Sequence, residues 1–238
     1  RRRARDLKLY CLPYSTVQAD MLIGAGAVAE VEAAAITAGY HPQVTASVKL
    51  GDLRAVLRDQ VAAQKVDLIV MGTHGRGDGW DELLGTNASF VLSKAPCPLL
   101  IVPDGVTFTP PTQICFTTDL RHVDAFFTVR LMELLKIYHP TVNFLHVRTG
   151  KEDHSSFNME MLENAVKRPD MDIKANFDTI KNEDIAPAIF QYAREKNCDL
   201  VIMSRPERSW LERLFSRSST RLAAMVADRP LLVFSPQD

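Results

Sequence analysis

Asp67-Leu68-Ile69-Val70-Met71 returns as Asp199-Leu200-Val201-Ile202-Met203, 132 residues later. Pro98-Leu99-Leu100-Ile101-Val102 returns as Pro230-Leu231-Leu232-Val233-Phe234 at the same offset of 132. Two separate matches at one offset are hard to obtain by chance, so the chain is a tandem duplication. The repeated runs are short and apolar, as expected of parallel strands covered by helices on both faces.

Outward from these anchors, the second copy alternates strand and helix patterns. Strands are predicted over 113–118, 142–147, 172–180, 199–203 and 231–234, and helices over 123–137, 155–166, 184–196 and 218–227. Short β-rich runs separated by helices imply right-handed βαβ units and a parallel sheet. The expected fold is therefore α/β, with two tandem open parallel-sheet domains over 1–109 and 110–238. Asp104-Gly105 and Pro110-Pro111 mark the linker between them. The earliest strand of the first copy, 7–12, matches the second strand of the other copy, so the first domain is expected to lack its first strand. By that spacing roughly 20 residues, holding a strand and much of a helix, are expected before Arg1.

Composition narrows the functional classes. The 238 residues are 46% hydrophobic and 24% charged, the balance of a soluble globular protein. Lys plus Arg number 28 against 29 Asp plus Glu, which leaves no bulk field for nucleic acid or a membrane surface. No apolar run is long enough to span a bilayer. The four cysteines, Cys11, Cys97, Cys115 and Cys198, are scattered without a C-x-x-C, which argues against a disulfide framework or a zinc site and for a reducing cytoplasm. Cys97 and Cys198 adjoin buried strands and read as packing residues.

Met71 is followed by Gly72-Thr73-His74-Gly75-Arg76-Gly77-Asp78-Gly79-Trp80-Asp81-Glu82-Leu83-Leu84-Gly85-Thr86-Asn87. Glycines let the backbone approach a ligand, and the helix expected from Thr86 offers unpaired N–H groups suited to phosphate. The segment leaves the carboxyl end of a strand, where open α/β sheets bind ligands. The competing reading is a surface loop that needs glycines only for its path.

The spacing Gly72-x2-Gly75-x9-Gly85-Thr86, with 67–71 before it and Ala95-x-Cys97-Pro98 after it, resembles the nucleotide motif of universal stress proteins. The resemblance covers both halves. It implies a Rossmann-like five-stranded sheet ordered 3-2-1-4-5 and a cofactor, ATP with Mg²⁺, in the first half. Carried over to this sequence, Leu12 lines the adenine, Met71 and Gly72 the ribose side, and Gly75, Gly85, Thr86 and Asn87 hold phosphate. Asn87 replaces the more usual small apolar residue. The family's adenine-contacting Asp has no counterpart in the first half, because its strand is absent.

The second copy shows the reverse pattern. Thr118-Asp119 stands where that Asp belongs, but the glycine positions have become Ser204, Glu207 and Arg217. Side chains there obstruct the approach of phosphate, so this half is expected not to bind ATP. Its Arg205, Arg208, Arg213, Arg217 and Arg221 read either as an anion or partner site or as a solvated face paired with Glu207 and Glu212. Gly24-Ala25-Gly26-Ala27-Val28-Ala29 imitates a dinucleotide fingerprint, without the acid expected about 20 residues on. His122 and His146 fall near Asp119 without metal-ligand spacing.

The expected function is that of an ATP-binding regulatory or stress-response protein with an unidentified protein partner, not an enzyme beyond weak ATP hydrolysis. A non-nucleotide interaction module and a slow ATP hydrolase are the alternatives. The resemblance further implies that the last strands, 99–102 and 231–234, pair across domains or across chains of a homodimer. As short edge strands with few charges, they invite such pairing.

Overall fold

The computed structural model describes residues 9–12, 53–64, 66–72, 97–103, 106, 109–118, 120, 128–129, 131–132, 135–150, 155–167, 173–204 and 229–234. Among them are eight strands: β1 (Leu9–Leu12), β2 (Leu68–Gly72), β3 (Leu99–Val102), β4 (Gln113–Thr117), β5 (Thr141–Arg148), β6 (Lys174–Lys181), β7 (Leu200–Ser204) and β8 (Leu231–Phe234). Three α-helices are described end to end, α1 (Leu53–Gln64), α2 (Ser155–Val166) and α3 (Ile185–Glu195), with a short 3-10 helix at Lys136–Tyr138. The strands and helices predicted in the second half agree with these to within one or two residues at their ends, where capping decides the boundary. Thr128, Val129, Leu131, Met132 and Leu135 are helical within the predicted 123–137. The helix predicted over 218–227 lies outside the described residues.

The second half forms the parallel sheet β6-β5-β4-β7-β8, which is the order 3-2-1-4-5. The central strands β4 and β5 are buried along nearly their whole length. The outermost, β6, alternates between exposed and half-buried residues and ends in exposed lysines, Lys174 and Lys181. Charge at an outer strand discourages edge-to-edge association.

The first half repeats the pairing residue for residue. Ile69↔Leu99 through Gly72↔Val102 become Val201↔Leu231 through Ser204↔Phe234, each shifted by the same 132 positions. β1 departs from this correspondence. Its sequence position matches the start of β5, yet it lies beside β2 in the register that β4 adopts beside β7. Leu12 stands opposite Met71 as Thr117 stands opposite Met203. Backbone N–H and C=O groups along β2 need partners, and β1 supplies them in the slot that a first strand would fill.

The two halves join as one sheet of order β1-β2-β3-β8-β7-β4-β5-β6. The junction is antiparallel, with Leu99↔Val233, Leu100↔Leu232 and Ile101↔Leu231. The expected pairing of the last strands therefore occurs within the chain. With β2 and β7 on their other sides, β3 and β8 have both edges occupied and offer none to a second copy.

Two apolar layers cover the sheet. On one face α1 contributes Leu57 and Val61 and α3 contributes Ile189, Phe190 and Ala193, packed over Ile69, Met71, Leu99, Ile101, Val201, Leu231 and Val233. This layer runs continuously across the junction. Along α1 the buried Leu57 and Val61 are one turn apart while Arg58 and Asp59 are exposed, the one-sided pattern of a surface helix. On the opposite face of the second half, Phe116 lies 5.1 Å from Phe144 and 5.8 Å from Phe234, and Phe144 stacks on Phe177 at 5.0 Å. Leu162 and Val166 of α2 close this layer. Each fully buried side chain of this size contributes roughly 1.5–3 kcal/mol.

Candidate functional site

Helices that flank a parallel sheet leave its strand ends open, so a ligand crevice forms at the carboxyl ends, where the strand order reverses. In the first half the described residues at that edge are Leu12, Met71, Gly72 and Val102. Register sets Leu12 beside Met71, Met71 beside Ile101, and Gly72 beside Val102. Three of the seven predicted site residues, Leu12, Met71 and Gly72, are thus neighbours at one edge. The Met71 side chain is buried in the core layer shared with α1, which leaves its main chain for a ligand. Gly75, Gly85, Thr86 and Asn87 lie outside the described residues, as do Arg205, Arg208, Arg213, Arg217 and Arg221.

The equivalent edge of the second half is tied up by its own hydrogen bonds. The buried Thr117 donates its hydroxyl to Ile202 O at 3.2 Å. Thr118 N donates to Leu145 O at 3.0 Å, and Leu120 N donates to Thr118 Oγ1 at 3.1 Å. Leu120 adopts a left-handed φ of 58° and is buried. His146 Nδ1 lies 3.0 Å from Thr118 O. A carbonyl only accepts, so this nitrogen carries the hydrogen and is unavailable as a metal ligand. Among the described residues no three His, Cys, Asp or Glu side chains converge as metal ligands. Asp119 and His122 lie outside the described residues.

The amino-terminal ends of the same strands hold a polar cluster that apolar patterning did not reveal. Asp199 Oδ2 accepts from Thr112 N at 2.8 Å, Thr112 Oγ1 at 2.9 Å and Gln113 N at 3.1 Å. The repeated aspartate before the strand is here a clamp on the start of β4. Asn143, buried in β5, donates to Ile114 O at 3.3 Å and accepts from Asn176 Nδ2 at 2.9 Å. The sequence signal is one amide, Asn143, between the apolar Val142 and Phe144. Arg229 donates to Ala193 O at 2.9 Å and Cys198 O at 2.7 Å, setting a cation at the carboxyl end of α3, where the helix dipole favours it. Apart from this cluster, Tyr192 of α3 donates to Asp178 Oδ2 of β6 at 2.5 Å, level with Leu145 and Thr117. Burial, and then this carboxylate, push the phenol well above its usual range.

The sequence matches the Universal stress protein family over residues 12–103 and 131–235. The chain belongs to the universal stress protein family. Both matched segments correspond to the two halves of the sheet. A universal stress protein of Thermus aquaticus, encoded in the 3′ region of a QAH/OAS sulfhydrylase gene, is 34% identical over 73 residues, 31% of this chain and 53% of that protein. The chain thus spans about half the length of this curated relative. Among solved structures, a universal stress protein of Archaeoglobus fulgidus covers 96% of this chain and 84% of its own, with a TM-score of 0.63 and 17% identity. A protein of unknown function from Pseudomonas aeruginosa covers 97% of this chain and 82% of its own, with a TM-score of 0.55 and 14% identity. Near-complete coverage at such low identity establishes the shared two-half fold. A universal stress protein solved in complex with cAMP covers 54% of this chain and 99% of its own, at a TM-score of 0.42 and 10% identity. No helix among the described residues is long and apolar enough to cross a membrane.

Proposed function

We propose that the protein is a nucleotide-binding regulatory member of the universal stress family whose first half holds ATP with Mg²⁺. The carrying observation is that β2 ends in Gly72 at the carboxyl edge, one residue beyond Met71, which pairs with Leu12, and leads into the Gly72-x2-Gly75-x9-Gly85-Thr86 spacing. A nucleotide fits the described part of this edge through the main chain of Met71 and Gly72, because the Met71 side chain is committed to the core. Gly75, Gly85, Thr86 and Asn87 would receive the phosphates. The family includes a member solved with cAMP, an adenine nucleotide. On this reading the segments 1–109 and 110–238 act as a binding half and a supporting half, in a reducing cytoplasm. They pass the bound state to a protein partner, and any homodimer uses a surface other than β3 and β8.

One observation favours the rival interaction module. Leu12 takes the register position of Thr117, and the chain continues into Pro13 and Tyr14 instead of a carboxylate. Calorimetric titration of ATP with Mg²⁺ decides between them. One site per chain, abolished by Gly85→Val, supports the nucleotide reading; no heat at any ATP concentration removes it and leaves the interaction module. Phosphate release above that of the Gly85→Val control would make the protein a slow ATP hydrolase.

A further inference from the structure

β5 reads Thr141-Val142-Asn143-Phe144-Leu145-His146-Val147-Arg148. Its apolar residues serve both faces of the sheet. Val142 and Phe144 pack in the layer that α2 closes, and Leu145 and Val147 in the layer that α3 closes. A strand buried on both faces is apolar on both, so the alternation of its side chains does not choose its register. Between Val142 and Val147 the polar side chains are Asn143 and His146, and the period of two sets one on each face.

Asn143 is 2% exposed and bonds to both neighbouring strands. Cys115 of β4, Asn143 and Asn176 of β6 stand at one level. Asn143 Oδ1 accepts from Asn176 Nδ2 at 2.9 Å. Asn143 Nδ2 donates to Ile114 O at 3.3 Å and to Gln113 Oε1 at 3.4 Å, and reaches Cys198 Sγ at 3.8 Å. A buried amide deprived of such partners is costly. A one-residue slip of β5 would carry Asn143 to the other face, into the layer of Phe116, Phe177 and Phe234. A two-residue slip would keep the faces but part Asn143 from Asn176 and from Ile114 O.

The carboxyl end of β5 depends on the same choice. There Thr118 N donates to Leu145 O at 3.0 Å, His146 Nδ1 lies 3.0 Å from Thr118 O, and Asn182 N donates to Arg148 O at 3.1 Å. The first half supplies the contrast. The run Leu7–Leu12, which matches β5 in sequence position, has no Asn, Gln or His, and β1 lies in the slot that β4 takes in the second half.

We propose that Asn143 fixes the register of β5, and so acts as a positioning residue that sets Leu145 and His146 against Thr118 at the carboxyl edge of the second half. Its role is choice of register and not stability: an apolar residue in its place keeps the burial and loses the choice. The inference concerns the second half alone and stands independently of the nucleotide reading.

The test follows the backbone amides of Thr118 and Asn182 in the full chain by nuclear magnetic resonance, with a urea midpoint for each variant. In Asn143→Val both amides should split into more than one signal and exchange roughly tenfold faster, the scale of one lost hydrogen bond. The urea midpoint should stay at or above that of the parent. Val142→Ala, which removes apolar volume from the same strand, should lower the midpoint and leave both signals single. Single, parent-like signals in Asn143→Val overturn the proposal, and so does splitting in Val142→Ala. Where valine does not fit, the smaller Asn143→Ala gives the same readout. Failure of both Asn143 variants to fold also overturns it, because the amide would then hold the fold together and not merely choose the register.

Discussion

Leu100 lies opposite Leu232, its own counterpart one repeat later. Each half presents the same edge of the same kind of sheet, and two such edges meet only by a two-fold rotation. That rotation makes the junction antiparallel although each half is parallel within itself, as in an isologous dimer interface. One covalent chain thereby contains an interface that separate copies would otherwise form between them.

The shared core layer across this junction makes the halves unfold together. Trp80 and Trp210 lie one in each half, so variants retaining a single tryptophan report the halves separately. Their denaturant transitions should coincide. Ile101→Ala, at a buried position paired with Leu231, should lower stability by about 2–5 kcal/mol and shift both reports equally. Two separated transitions would show that the junction does not couple the halves.

Asp199 holds the start of β4 through three donors on one carboxylate oxygen. Asp199→Ala strands the Thr112 and Gln113 amides and should cost about 1–3 kcal/mol. Asp199→Asn keeps an acceptor and should cost less. Urea midpoints of the two variants, measured against the parent, check the order.

Tyr192 gives the protein an alkaline limit. Its folded-state phenol is raised above the unfolded value by burial and by Asp178. An acid raised in this way contributes stability fully below the unfolded value, and that contribution is lost as pH rises toward the folded one. Stability should therefore decline with pH above about 10, where an unfolded tyrosine ionises and the folded one does not. Tyr192→Phe should show a shallower decline across the same range in pH-dependent thermal melts.

For the nucleotide reading, the expected stoichiometry is one ATP per chain, because Ser204, Glu207 and Arg217 replace the glycines in the second half. Restoring glycine at those three positions should raise the stoichiometry toward two if side-chain obstruction alone closes that half. Equilibrium dialysis with labelled ATP measures it. Unchanged stoichiometry would indicate that the hydrogen bonds around Thr117 and Thr118 also keep that edge closed.

Local pattern carried most of the fold. The repeat at 132, the apolar strands and the one-sided helices follow from covalent order and side-chain period, which neighbours in sequence decide. The glycine spacing at Gly72 likewise needs no tertiary information to be seen. Which edge pairs with which is a different kind of fact. β1 matches β5 in sequence yet occupies the slot beside β2, because bare strand edges demand partners and the nearest compatible strand supplies them. The meeting of Leu100 with Leu232, and of Asp199 with Thr112, depends on contacts between segments far apart in the chain. Those contacts arise only when the whole sheet closes, so only the tertiary structure decides them.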